Sequence, residues 1–263
     1  MSAATAPTSL SPSLRVGGAA ARRPSFATLT RIELRKTVDT RAGRVLLALT
    51  LLLSTFVLGY LLARGDAGGL SYGGWVRDAI FPVVLLMPVV GVLGMASEWT
   101  QRTVLTTFTL TPRRGRVLAA KLVASFVLGM AVVAVVEVLA AVALVARGAI
   151  LGQAASWTDL GSVVGGSMVS AGLALLMGAA LGALLMQTAV AIVAYFVAPN
   201  VALLAVANLA EDKIDWVDVN GAFQRLSAFD LSGHVGPTVT ALALWIGLPL
   251  VLGVLRSLRR NVS

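Results

Sequence analysis

Six stretches of this sequence, residues 45–63, 79–97, 118–146, 160–186, 188–209 and 237–255, are apolar over lengths close to or above that of a bilayer crossing. A spanning helix needs about 20 mostly apolar residues. Inside hydrocarbon the backbone finds no water, so each crossing must satisfy its own hydrogen bonds, and a helix does so within one segment. The expected fold is therefore an all-α integral membrane protein of six transmembrane helices. Composition agrees: 57% of the 263 residues are hydrophobic and only 13% are charged, against about 25% charged in ordinary soluble domains. Six crossings with short connections use up the chain, leaving no room for a second soluble domain of ordinary size.

The segments differ in detail. The second contains Pro82, Pro88, Gly91 and Gly94 and is expected to kink or break. The fourth carries Ala174, Gly178 and Gly182 at four-residue spacing, a stripe along which helix backbones can approach closely. Packing inside the chain is the first reading of that stripe; a dimer seam or a translocation surface is the second. Only Gln187 separates the fourth and fifth segments, so they form a tight hairpin, because one unbroken helix of that length would not fit the bilayer. Residues 1–25, rich in Ser, Thr, Ala, Pro and Gly without helical period, read as a disordered tail.

Loop charge sets the orientation. With the N-terminus inside, sixteen of the 21 Lys and Arg fall on the inner side, whereas most acids, Asp66, Asp78, Asp159, Glu211, Asp212, Asp215, Asp218 and Asp230, fall outside. Both termini are then cytoplasmic, and the net charge of +9 is the positive-inside asymmetry seen in sum. It is not the footprint of a nucleic-acid partner, which would need basic residues and aromatics gathered on one soluble face. The outer segment 211–237 mixes Trp216, Phe223 and Phe229 with acids and suits a short amphipathic helix at the outer interface. Its carboxylates Glu211, Asp212, Asp215 and Asp218 could hold a hard cation, but a solvated acidic loop is the simpler reading.

Most catalytic chemistry lacks its residues. There is no cysteine, and the single histidine, His234, lies in a glycine-flanked turn and cannot build a multi-histidine metal site. None of the three lysines follows a phosphate-binding loop pattern, no serine sits in G-x-S-x-G, and H-E-x-x-H is absent. The chain is expected to be no enzyme and to need no cofactor or metal of its own. One ionisable residue lies well inside a segment, Glu137 in the third. An acid at such depth is costly and is a functional candidate by default. It could be protonated, face a polar path, contact a cationic substrate, or bond to a hydroxyl such as Ser170 or Thr188.

Two basic elements border the apolar segments on the inner side. Thr30–Arg44 precedes the first; Phe26, Leu29 and Ile32 share one helical face but Leu34 and Val38 fall on another, so the amphipathic pattern is weak. Ser97–Lys121 joins the second to the third, with Glu98 and Arg102 followed by Thr-Pro-Arg-Arg-Gly, which suits a short helix over 98–110 and a turn at 112–115. Either could be a plain topological anchor at anionic headgroups.

Here the chain resembles a known family. Glu33, Leu34, Arg35, Lys36, Thr40 and Arg41 look like the start of a permease subunit of the type-two ABC exporters. Glu98, Arg102, Thr103, Pro112, Arg113, Arg114, Arg116 and Lys121 resemble the stretch after that family's second span. The resemblance covers residues 26–260, a single six-span permease domain. The usual glycine between the basic residue and the threonine is missing, since Arg102 abuts Thr103.

The resemblance implies a bacterial plasma-membrane protein that pairs with a second permease copy or paralogue. It also implies cytoplasmic ATPase subunits, which would carry the ATP and Mg. The segment with Glu33, Leu34, Arg35, Lys36 and Arg41 would be the interfacial connecting helix. Glu98 to Arg116 would be the coupling helix that docks on the ATPase. Two other readings share the topology: a proton-coupled secondary carrier using Glu137, and a non-transporting immunity or assembly protein. No convincing internal repeat of the kind common in secondary carriers is visible.

Overall fold

The computed structural model describes residues 25–64, 69–101 and 114–259, and among these there is no β-strand. The expected tail therefore lies outside the described residues except for Ser25, and so do residues 102–113 of the basic connection. Ser25 is structured: its hydroxyl accepts from the Thr28 N–H at 3.1 Å and caps the first helix. That helix, α1 (Phe26–Asp39), ends at Thr40, which is extended and opens α2 (Arg41–Ala63). Thr40 serves both helices. Its N–H bonds Lys36 O at 3.1 Å, closing α1, and its hydroxyl accepts from the Gly43 N–H at 3.1 Å, capping α2. Gly43 allows this tight turn, because a Cβ there would lie 1.8 Å from Thr37 O.

The remaining long helices are α3 (Tyr72–Thr100), α4 (Arg114–Leu151), α5 (Leu160–Leu185), α6 (Thr188–Leu209) and α9 (Val235–Arg259). With α2 they make, among the described residues, six helices long and apolar enough to cross a membrane, as in a multi-pass membrane protein. The second segment does not break: α3 runs continuously through Pro82 and Pro88. The third is longer than its apolar stretch. At 1.5 Å per residue, the 38 residues of α4 span about 57 Å and must project beyond the hydrocarbon layer. The fourth and fifth form the expected hairpin, turned by Met186 in the left-handed region (φ 54°) and an extended Gln187.

Packing is centred on α3 and α5, whose spanning windows are 56% and 61% buried, against 11% for α6. The two helices approach at backbone distance. A Cβ on Gly178 would sit 2.1 Å from Pro88 O, and one on Gly91 2.2 Å from Leu175 O, so only glycine fits either position. Helix α4 closes the main core, in which Val83, Met87, Val133, Val136, Leu144 and Leu175 are fully buried. The large apolar residues left exposed on α2, α4, α6 and α9, such as Phe56, Val142, Leu204 and Val251, form the lipid-facing surface.

At the end of the bundle away from α1, Tyr72 N–H donates to Ser156 O and Ser156 N–H to Leu70 O, tying the start of α3 to the α4–α5 connection. Residues 211–227 fold there as a single 3-10 turn, Glu211–Lys213, followed by α7 (Ile214–Val217) and α8 (Val219–Ser227). The aromatic-acidic segment is helical, as its composition suggests. Its apolar side, however, turns inward: Val219, Ala222 and Phe223 are buried and α8 packs on α5. Helix α9 contains a π turn, Ala243–Gly247, from which the Trp245 indole donates to Val217 O at 2.9 Å.

Candidate functional site

Four charged side chains meet at the α1 end of the bundle. Glu33 lies on the buried face of α1 beside Leu29, and Lys36 follows one turn later. Glu98 comes from the last turn of α3 and Lys121 from the second turn of α4. Lys121 Nζ is 2.9 Å from Glu33 Oε2 and 2.8 Å from Glu98 Oε1; Lys36 Nζ is 2.7 Å from Glu33 Oε1 and 3.1 Å from Glu98 Oε1. Each ammonium touches both carboxylates, so the four close a ring of alternating sign and zero net charge. Lys121 is 6% exposed in its side chain and Lys36 is 44% exposed. Partial burial disfavours the Lys36 ammonium, but Glu33 and Glu98 outweigh it and raise its pKa above the ordinary lysine value. An ammonium is a compact donor that fits between two carboxylates, where a guanidinium would demand a planar fork. Two of the three lysines in this arginine-rich chain stand here.

The ring changes how the basic elements read. Glu98, Ser97, Trp99 and Thr100 do not begin a separate short helix; they continue α3. Glu98 is committed to Lys36 and Lys121 rather than held out to solvent. Arg102, Thr103, Pro112 and Arg113 lie outside the described residues. The turn expected at 112–115 is at most short, because Arg114 already opens α4 and Gly115 is helical. Arg116 is half-buried, Leu34 is partly buried, and Arg35 and Arg41 are exposed. The ring thus joins α1 to the two helices that flank residues 102–113. A cavity of about 780 Å3 lies against it, between α1, the start of α2 and the end of α3.

Glu137 is 5% exposed and sits between α3, α4 and α5. Its carboxyl is hydrogen-bonded to the Ser167 hydroxyl, and the Tyr72 hydroxyl donates to its backbone oxygen at 3.4 Å. The partner is therefore Ser167, one helical turn from Ser170, and not Ser170 or Thr188. Thr188 instead meets Thr100 at the opposite end, hydroxyl to hydroxyl at 3.1 Å. Ser167 also contacts Val164 O at 2.9 Å. Glu137 is thus buried, and its contact with Ser167 links α4 to α5.

The small-residue stripe of α5 is used within the chain. Ala174, Gly178 and Gly182 are all buried, with Gly178 against Pro88 and Gly182 against Val92 of α3. The acids of 211–218 do not converge. Asp212 meets Lys213 at 2.9 Å, whereas Asp215 lies 3.6 Å from Arg225 and 3.7 Å from His234. Among the described residues no three His, Cys, Asp or Glu side chains are placed to hold a metal. His234 precedes the first turn of α9, with its Nδ1 2.9 Å from Ser232 O.

The ring was only half visible in the sequence. Glu33, Asp39 and Glu98 are the three acids on the basic side of the charge asymmetry, and two of them, Glu33 and Glu98, enter the ring. Which lysine each would meet depended on how α1 folds back on α4. No protein-family model matches the chain, and no curated protein matches it.

Proposed function

We propose that the chain is the membrane-spanning permease subunit of an ABC exporter of the type-two kind, in a bacterial plasma membrane. Its α1 end and both termini face the cytoplasm. ATP and Mg belong to separate ATPase subunits, and a second permease copy or paralogue completes the pathway. The observation that carries the reading is the ionic ring. It fastens α1 to α3 and α4, the two helices that residues 102–113 connect. A partner pushing on that connection would move three helices as one body, which is what transmission of an ATPase movement requires. The positive-inside charge bias supports a cytoplasmic position for this end, where such a partner would be.

In this reading Glu98 holds the junction together, and the docking contacts fall to the segment Arg102–Arg113 and to Arg116. The test is to isolate the tagged protein from its native membrane in gentle detergent and identify the co-purifying chains. A stoichiometric soluble ATPase is expected. Arg113→Glu with Arg116→Glu should lose that ATPase while the permease still folds. The proposal fails if the protein purifies alone under conditions that preserve a known ABC complex from the same membrane. That outcome would favour the carrier or immunity reading and turn attention to Glu137.

A further inference from the structure

The cavity beside the ionic ring has a lining of unusual balance. Arg35, Lys36 and Lys121 line it together with Glu33, Asp39 and Glu98, three cations and three anions. Four of these six neutralise one another in the ring. The remaining two, Arg35 and Asp39, make no ion pair with each other or with any described residue, although they stand one turn apart on α1, where Cβ atoms are about 6 Å from each other. Among the described residues, the wall therefore offers one unmatched cation and one unmatched anion on adjacent turns of one helix.

The place of the cavity argues for what fills it. Along α3 it extends from Gln101 to Leu93, eight residues or about 12 Å, so it runs from the charged end of the bundle down to the apolar part of a spanning helix. Helix α1 exposes Phe26 and Ile32 and carries Arg31, Arg35 and Lys36, basic residues that would hold it near anionic headgroups. Ile32 itself lines the cavity. A volume of about 780 Å3 falls in the range that holds a small ligand.

From this juxtaposition we propose that the cavity is a binding site for a zwitterionic phospholipid whose headgroup carries a primary ammonium. The phosphate pairs with Arg35 and the ammonium with Asp39, while the glycerol end follows Leu93 toward the bilayer. An anionic glycerol headgroup would satisfy Arg35 but leave Asp39 facing more negative charge. A trimethylated headgroup carries the right charges but has no N–H to donate to Asp39. The site thus distinguishes the ammonium-bearing lipid from both. The inference does not depend on the transporter reading, since it concerns only where α1 meets the membrane.

The test uses the full-length protein, delipidated in detergent and titrated with phosphatidylethanolamine, phosphatidylglycerol or phosphatidylcholine of identical acyl chains, with bound lipid counted by native mass spectrometry. The expected result is a preference for phosphatidylethanolamine of about tenfold over each of the others, the worth of one charge-assisted hydrogen bond at a half-open site. Asp39→Asn should bring the ethanolamine-to-glycerol ratio close to one. Arg35→Gln should weaken all three lipids about tenfold. Both residues are exposed and make no ion pair among the described residues, so neither change removes a contact seen in the described fold. Arg259→Gln, at an exposed cation that does not line the cavity, should leave the ratios as they are. Equal or tighter binding of phosphatidylglycerol by the unaltered protein, or an ethanolamine-to-glycerol ratio that Asp39→Asn does not change, would overturn the proposal in favour of a general cationic surface. Absence of any retained phospholipid would overturn it outright.

Discussion

Replacing Lys121 by methionine keeps the length of the side chain and removes its charge, which isolates what the ring contributes. In the intact protein Lys121 Nζ lies within 2.9 Å of both carboxylates and is nearly excluded from solvent. Removing one partner of a buried pair costs about 3–5 kcal/mol, because the charges left behind are neither hydrated nor matched. Here Lys36 remains, 2.7 Å from Glu33 and 3.1 Å from Glu98, and shields part of the loss. The expected cost is therefore at the lower edge, about 3 kcal/mol or roughly a hundredfold in the folding equilibrium. Lys36→Met removes the same number of contacts from a half-exposed position and should cost about 1 kcal/mol or less. The two can be compared by equilibrium unfolding in mixed micelles, followed by tryptophan fluorescence, since Trp99 adjoins Glu98 in sequence. Adding Glu98→Gln to Lys121→Met leaves Glu33 matched with Lys36, so the double variant should be more stable than the single one. Equal and small costs for Lys121→Met and Lys36→Met would refute the burial argument and reduce the ring to a surface feature.

Gly178→Ala should destabilise by about 1–3 kcal/mol or more, because the added methyl meets a backbone oxygen that cannot turn aside. Gly59→Ala, on α2 with nothing within 4 Å of its Cβ, should be neutral or stabilising by up to about 1 kcal/mol in the same unfolding assay. Glu137→Gln retains the shape and the bond to Ser167, so its stability should stay within about 1 kcal/mol and any co-purifying ATPase activity should persist. Loss of activity with unchanged stability would instead speak for a proton-carrying role.

The six spans were legible because a bilayer demands long apolar runs, and these override every weaker local signal. The hairpin at Met186 and Gln187 followed from length alone. Other features depended on contacts that a linear pattern does not carry. Pro82 and Pro88 suggested a break, yet α3 stays continuous between α4 and α5, and its Pro88 carbonyl lies against Gly178. Glu137 stood out as an acid in an apolar run, but its partner was decided by the register of α4 against α5, which places Ser167 and not Ser170 beside it. Of the aromatic residues that suggested an interface, Trp216 and Phe229 are exposed, whereas Phe223 is buried against α5 and α9. The ring draws on residues 88 positions apart and closes only when α1 folds back.

Thr40 gives the junction a mechanical character. With a single residue serving as the end of one helix and the beginning of the next, α1 and α2 share a hinge with no slack. The ring supplies a second pin, part-way along α1, to α3 and α4. A bar held at two separated points is a brace, and it triangulates the frame formed by the helices it touches. Triangulated frames do not deform in part: a load at the 102–113 connection either carries α2, α3 and α4 along together or shears the pin.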